Sequence, residues 1–126
     1  MNSLGKLAEI KACEYLKKKK YKLLDFNYVS AFGEIDLIMQ KGKTICFIEV
    51  KMRNQNSIAA PAEFVDYRKQ QKIISTAQIY ISNNNIKLQP RFDIIEVIIN
   101  PKTLRKISLT HIENAFTYGG GDYAPF

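Results

Sequence analysis

Two stretches of alternating charged and apolar residues flank a glycine turn, and together they predict a β-hairpin. The first runs from Gly33 to Gln40 and the second from Lys43 to Met52, with Gly42 between them. Alternate side chains of a strand point to the same face. A loop of two or four residues then places the acids of both strands on one face, whereas a one-residue slip separates them. The register of this hairpin therefore decides whether the chain has a shared acidic face.

The acidic face of the hairpin carries the residue types used in metal-dependent phosphodiester cleavage. Asp36 and Glu49 would share it, with Lys51 two residues after Glu49 on the same strand. Carboxylates hold Mg²⁺, a hard cation that keeps several waters, and an ammonium group stabilises charge on a phosphate. We expect Lys51 to act through its charge rather than as a base, since carboxylates keep it protonated. Glu34 either reaches the metal through water or pairs with Lys51 or Arg53.

A helical repeat near the start of the chain adds a further carboxylate. The pattern predicts a helix from Ser3, a good N-cap residue, to about Lys19. Glu9 falls within the stripe of small apolar residues on this helix. An acid in such a stripe needs a partner or a metal, because burying it unpaired is costly. Glu9 therefore completes the metal site from the helix or forms a plain ion pair, and the pattern favours neither.

The charge of the chain favours a polyanionic partner. Its formal net charge is +7 over 126 residues, a balance that favours binding to polyanions without identifying which one. Eleven of the 19 cations fall into three groups, which are Lys17–Lys20 with Lys22, Arg68 with Lys69 and Lys72, and Lys102 with Arg105 and Lys106. A solvated helix end explains the first group as well as phosphate contact does. Phosphate binding would make affinity fall steeply with salt.

The remaining pattern predicts an α/β domain of α-β-β-β-α-β-β-α order, with a mixed central sheet and helices on both faces. Strands are predicted at Tyr21–Val29, Arg91–Ile99 and Leu104–Leu109, and further helices at Pro61–Ser82 and His111–Tyr118. We expect residues 1–118 to form one domain and residues 119–126, which begin with three glycines, to form a flexible tail. Neither a membrane-spanning run nor a signal peptide is visible, so a cytoplasmic location is expected.

The cysteines and the single histidine are expected to be structural. Cys13 and Cys46 lie in apolar-periodic segments without metal-ligand or redox spacing, which predicts small buried side chains. His111 has no partner for a nucleophilic system, and no zinc-ligand cluster surrounds it in sequence. We therefore expect it to hold structure rather than to catalyse.

Motifs spread nearly end to end resemble the YraN family of uncharacterised bacterial proteins. They are Gly5–Glu9, Gly33–Ile38, Phe47–Lys51 with Arg53, Lys69-Gln70 with Lys72, Arg91–Asp93, and Ile112 with Ala115-Phe116. That family is similar to archaeal Holliday-junction resolvases, so the resemblance implies a restriction-endonuclease-like fold. In nucleases of this fold a helix Glu, a strand Asp and a Glu-x-Lys pair form the site. These roles fall here on Glu9, Asp36, Glu49 and Lys51.

The leading hypothesis is a Mg²⁺- or Mn²⁺-dependent endonuclease that acts on branched or structured DNA. Its metal ligands would be Glu9, Asp36 and Glu49, and its nucleic-acid contacts Arg53, Lys69, Gln70 and Lys72. Cleavage of a two-fold junction would suggest a homodimer. One alternative is a nucleic-acid-binding module that keeps the nuclease fold without catalysis. Another is an interaction domain whose hairpin charges are ordinary ion pairs.

Overall fold

The computed structural model describes residues 3–54 and 65–117, which form two helices and one five-stranded sheet. The elements are α1 Ser3–Lys18, β1 Lys22–Ser30, β2 Gly33–Lys41, β3 Thr44–Asn54, α2 Tyr67–Asn83, β4 Gln89–Ile99 and β5 Lys106–Phe116. The strands lie in the order β1-β2-β3-β4-β5, and neighbours are antiparallel except β3 and β4, which run parallel. The predicted mixed α/β fold is confirmed.

The two helices pack on opposite faces of the sheet. On the face covered by α2, called the α2 face, Phe92 stacks on both Phe47 and Phe116, with ring centroids 5.6 and 5.3 Å apart. On the opposite α1 face, the small side chains of Ala8 and Ala12 let the helix approach the strands closely. Burying each large apolar side chain contributes about 1.5–3 kcal/mol. Because α1 and α2 cover opposite faces of the sheet, the prediction of helices on both faces is correct.

The β2–β3 hairpin has the register that a shared acidic face requires. Lys41 pairs with Thr44, which leaves a two-residue loop of Gly42 and Lys43. Gly42 has a φ of +58°, a left-handed conformation that glycine adopts without steric cost. The same register pairs Leu37 with Ile48. Asp36 precedes Leu37 on β2, and Glu49 follows Ile48 on β3, so the two acids belong to one face, as predicted.

Helix α2 begins later than the sequence pattern predicts. Asp66 has an extended backbone, and its side chain accepts a hydrogen bond of 2.9 Å from the Lys69 N–H. An aspartate in this position satisfies one of the free donors of the first helical turn and so fixes the helix start. The predicted start at Pro61 is therefore wrong, and Pro61 itself lies outside the described residues.

The helix predicted at His111–Tyr118 is also wrong, because β5 continues through Phe116. The spacing of Ile112, Ala115 and Phe116 imitates a helical stripe, yet it arises from a break in strand alternation. Asn114 has a φ of +55°, and the pairing of β4 with β5 shifts register at this point. The irregularity turns residues on both sides of it toward the core. Residues 118–126, with the predicted tail, lie outside the described residues.

Both helices carry exposed cations. Lys17 and Lys18 lie in the last turn of α1, where positive charge suits the negative end of the helix dipole. Arg68 and Lys72 lie exposed on the first two turns of α2. Within residues 3–54 and 65–117, neither helix combines the length and apolar character needed to cross a membrane.

Candidate functional site

Strands β2 and β3 separate where the acidic residues lie. Their paired register ends at Leu37 and Ile48. The next residue of β2, Asp36, instead accepts a hydrogen bond from the Val50 N–H through its side chain, at 2.7 Å. The Asp36 carboxylate thus satisfies a backbone donor of β3. The separation admits the Asp36 side chain between the strands, beside Glu49.

Asp36 and Glu49 form a buried pair of carboxyl groups, called here the acid pair. Asp36 is 9% exposed and Glu49 is 7% exposed. Burial, and then the charge of Glu49, raise the pKa of Asp36 to about 8, and the Val50 hydrogen bond only partly opposes this. Two carboxylates that share a site out of water do not both ionise readily. The acid pair therefore has a strong tendency to retain a proton or to bind a cation.

Two lysines compete for the Glu49 carboxylate. Lys69 Nζ lies 2.5 Å from Glu49 Oε2, whereas Lys51 Nζ lies 3.6 Å from the same oxygen. Burial alone would lower the pKa of Lys69, but its hydrogen bond to Glu49 and the Glu49 charge raise it. Burial, and then the contact with the Lys69 ammonium, lower the pKa of Lys51. Lys69 is therefore the firm ion partner of Glu49, and Lys51 is the amine that releases its proton more readily.

A cleft of about 350 Å³ opens over the acid pair, between the hairpin and the start of α2. It is lined by Gly33, Glu34, Asp36 and Glu49 from the hairpin side and by Asp66, Arg68, Lys69, Lys72 and Ile73 from the helix side. Gly33 has a φ of +156°, and a Cβ there would lie 3.4 Å from the Lys72 Cβ. Glycine thus lets α2 pack close to the acids. Asp36 and Glu49 thus form the acidic floor of the cleft, and Arg68, Lys69 and Lys72 form its cationic wall.

The residues predicted to contact nucleic acid divide into two groups. Lys69 and Lys72 line the cleft. Arg53 is only 8% exposed and forms an ion pair with Glu96 of β4 on the α2 face. Gln70 donates a hydrogen bond of 3.0 Å to the Val65 carbonyl oxygen. These positions favour structural roles for Arg53 and Gln70.

Glu9 has polar partners of its own on α1 and β1. It accepts a hydrogen bond of 3.0 Å from Asn27 Nδ2, and its carboxylate is 4.0 Å from Lys6 Nζ. Lys6 also donates to Asn27 Oδ1 at 2.9 Å. The Glu9 charge still contributes to the raised pKa of Asp36. In the part of the chain that the structure describes, no three acidic, histidine or cysteine side chains are grouped closely enough to hold a metal ion.

The acid pair nevertheless fits a hard divalent cation. Mg²⁺ in phosphate-transfer sites commonly uses one or two carboxylates and takes its other ligands from water and substrate phosphate. Asp36 and Glu49 supply hard oxygen donors, and burial together with the charge of Glu49 raises the pKa of Asp36. A cation in place of the retained proton would compensate the charge of the Asp36 carboxylate.

A second buried polar cluster lies at Asp93 on β4 and is not apparent from the sequence. Fully buried Asp93 accepts hydrogen bonds from Arg91 Nη2 at 2.7 Å, His111 Nε2 at 2.8 Å and the Asn114 N–H at 2.9 Å. Burial opposes ionisation of Asp93, but the bonds from His111 and Arg91 outweigh it and lower the pKa. Arg91 Nη2 also donates to the Tyr21 hydroxyl at 2.7 Å. This arrangement supports the structural role predicted for His111.

The cysteines lie on the α1 side of the molecule without a disulfide between them. Cys46 is fully buried, and burial, with the charge of Asp93, raises the pKa of its thiol to about 12. Cys13 is half-buried. With its raised pKa, the Cys46 thiol is a poor nucleophile. The prediction of a small buried side chain is confirmed for Cys46 and is correct in part for Cys13.

The raised pKa of Asp36 predicts that the protein loses stability as pH rises. Below about pH 4, both folded and unfolded chains carry the proton. Above that pH only the folded chain retains it, so the free energy of unfolding falls until the folded pKa of about 8 is passed. Relative to Asp36→Asn, we expect the parent to lose about 4 kcal/mol between about pH 5 and about pH 8. Urea unfolding in EDTA measures this, and parallel pH profiles would contradict it.

Comparison with other proteins gives matches along most of the chain. A family model described as "Uncharacterised protein family UPF0102" matches residues 8–97. A UPF0102 protein of Caldanaerobacter subterraneus subsp. tengcongensis is 48% identical over 115 residues, covering 90% of this chain and 94% of the relative. UPF0102 proteins of Persephonella marina and Alkaliphilus oremlandii are 42% and 41% identical, covering 89% and 90% of this chain and 91% and 97% of their own lengths. The matched span includes every residue that lines the cleft.

Proposed function

Since the chain belongs to the uncharacterised protein family UPF0102, as its resemblance to the YraN family predicted, we propose its function from its own site. The proposal is a Mg²⁺- or Mn²⁺-dependent endonuclease that acts on structured or branched DNA. The observation that carries it is the buried acid pair at the floor of an open cleft whose wall is cationic. An acidic floor suits a divalent cation, and a cationic wall suits the phosphates of a nucleic acid.

The acid pair and Lys51 would have separate roles in phosphodiester hydrolysis. A bound divalent cation would supply positive charge at the scissile phosphate and make a nearby water molecule more acidic. Asp36 and Glu49 would hold that cation. Lys51, whose Nζ is 3.6 Å from Glu49 Oε2 and whose pKa is lowered, would accept a proton from the attacking water or stabilise charge on phosphate oxygens. The water oxygen bonds to phosphorus, a P–O ester bond breaks, and the departing oxygen takes up a proton.

Lys69 links metal binding to phosphate binding. In the absence of a cation, its ammonium neutralises Glu49 at 2.5 Å. A cation on Glu49 would compete for that charge and release Lys69 toward a phosphate oxygen in the same cleft. Lys72 and Arg68, on the same wall, would then contact the flanking phosphates.

Cleavage of labelled DNA tests this proposal. We expect the purified protein to nick four-way, flap or linear substrates with Mg²⁺ or Mn²⁺, and to stop in EDTA. Binding should weaken about tenfold or more for each threefold rise in salt, because several phosphates are neutralised. Mn²⁺ should raise the melting temperature of the parent and leave that of Glu49→Gln unchanged. Cleavage that persists in EDTA, or no cleavage of any substrate, would contradict the proposal.

A second candidate is a nucleic-acid-binding module that keeps the fold without hydrolysis. The close ion pair of Lys69 with Glu49 favours it, because a carboxylate neutralised in this way does not require a metal ion. This candidate predicts salt-sensitive DNA binding that survives EDTA and the Lys51→Ala substitution. A parent protein that binds DNA, but neither cleaves it nor is stabilised by Mn²⁺, would favour this candidate over the endonuclease.

The proposal also includes a homodimer and a cytoplasmic location. Cutting both strands of a symmetrical junction needs two copies of the site, which a two-fold dimer supplies. Sedimentation with and without junction DNA would measure the oligomeric state. A sedimentation coefficient of a single chain on a cleaved junction would contradict the dimer without affecting the assignment of the cleft.

A further inference from the structure

Two aromatic rings face solvent beside the carboxylate cleft. Phe32, in the turn between β1 and β2, and Tyr67, the first residue of α2, are each 57% exposed. Together with Arg68, Gln71, Lys72 and Ser75 they line a groove, called here the aromatic groove. A large ring usually contributes to stability by being buried, so two exposed rings on one groove indicate a binding surface.

The aromatic groove is continuous with the cleft. Arg68 and Lys72 line both, and both are exposed. On the hairpin side, Phe32 is followed directly by Gly33, which lines the cleft. A ligand that extends from the acid pair past these two cations would therefore reach the rings. Such a ligand needs negative charge at the cations and a flat apolar group at the rings.

We propose that the aromatic groove stacks an unpaired nucleobase of DNA while a neighbouring phosphate lies in the cleft. This inference rests on the proposed function and specifies its substrate. Bases of any sequence present a π-face to Phe and Tyr, and Arg and Lys pair with the adjoining phosphates. Within a duplex, the neighbouring base pairs cover both faces of each base. The aromatic groove therefore selects single-stranded, flap or splayed junction nucleotides over continuous duplex.

A nucleotide matches this surface better than an apolar peptide does. A peptide segment would cover Phe32 and Tyr67 but would bring no charge to Arg68 and Lys72, which lie between the rings and the acid pair. A nucleotide satisfies rings and cations together, because one unit carries both a base and a phosphate. The formal net charge of +7 adds a long-range attraction of the same sign.

Binding to two DNA probes in EDTA tests the inference without cleavage. The probes are fluorescent oligodeoxythymidine and a duplex of equal length, measured by anisotropy at low salt. We expect Phe32→Ala and Tyr67→Ala each to weaken single-strand binding about tenfold and to change duplex binding much less. Phe32→Trp should retain binding, whereas Phe32→Leu, which is apolar without a π-face, should lose it. The matched control is Phe26→Ala, since Phe26 is 58% exposed but lies on a separate groove beside α1.

The outcomes separate this inference from the proposed function. Unchanged single-strand binding by Phe32→Ala and Tyr67→Ala, or equal weakening on both probes, would overturn the inference and leave the endonuclease intact. Groove-dependent single-strand binding by a parent that cuts nothing with Mn²⁺ would support the inference and reject the endonuclease. If the parent binds neither probe, the inference fails, while the endonuclease is still judged by cleavage with Mn²⁺. Weakening by Phe26→Ala equal to that by Phe32→Ala would also overturn the inference.

Discussion

Replacing Asp36 by asparagine should slow metal-dependent DNA cleavage by at least about 10³-fold. The amide keeps the size of the carboxylate, and its oxygen still accepts the hydrogen bond that Val50 donates in the parent. What it removes is the carboxylate charge that Asp36 would carry once a cation replaces its proton, and with it the affinity for a divalent cation. Glu49→Gln should have an effect of similar size, because it removes the other carboxylate. Single-turnover rates with Mn²⁺ measure both changes.

The control for this experiment is a carboxylate outside the cleft. Glu14 is exposed on α1, so Glu14→Gln should cleave at the rate of the parent. Circular dichroism and urea unfolding would show that Asp36→Asn remains folded, and at alkaline pH it should be more stable than the parent. A rate for Asp36→Asn within about tenfold of the parent would show that the acid pair is not the reaction centre.

Asp93→Ala should destabilise the protein by about 3–5 kcal/mol, the largest effect on stability that we expect. The substitution removes the acceptor shared by Arg91, His111 and the Asn114 N–H, and leaves their donors poorly satisfied in a buried place. The loss of charge compensation for Arg91 is the dominant contribution. Urea unfolding measures it as a lower midpoint with an unchanged slope.

A second acid that contacts Arg91 provides the matched control. Glu113 lies 3.6 Å from Arg91 Nη1, but its side chain is mostly exposed. An exposed ion pair contributes little, so Glu113→Ala should change the free energy of unfolding by less than about 1 kcal/mol. Equal effects of the two substitutions would show that the Asp93 cluster does not act as a buried unit. Neither variant should alter the stabilisation by Mn²⁺.

Local pattern predicted the hairpin, and it placed Asp36 and Glu49 on one face on the condition that the loop has two or four residues. The observed loop has two residues and so meets that condition. The Asp66 cap of α2 was equally local, but the prediction followed Pro61 instead. The helix predicted at the end of the chain failed because Asn114 interrupts the alternation of β5, and a broken period of two can imitate a helical one.

The remaining features depend on contacts between distant segments. Nothing in the local pattern shows that Lys69 of α2 lies closer to Glu49 than Lys51 of the same strand does. The separation of β2 from β3 at Asp36, which admits its side chain, is a property of the assembled sheet. The ion pair of Arg53 with Glu96 likewise depends on the parallel pairing of β3 with β4. Burial and partner choice, rather than residue type, decided these roles.

The parallel pairing of β3 with β4 also imposes an order on how the cleft is assembled. The two acids belong to one hairpin, whose strands meet by closing a loop of two residues. The cationic wall belongs to α2, which lies in the connection between the two parallel strands. Closing that longer connection costs more chain entropy and is slower. The acids can therefore meet while the chain is still largely unfolded, whereas Lys69, the closer lysine to Glu49, reaches them only when the domain is complete.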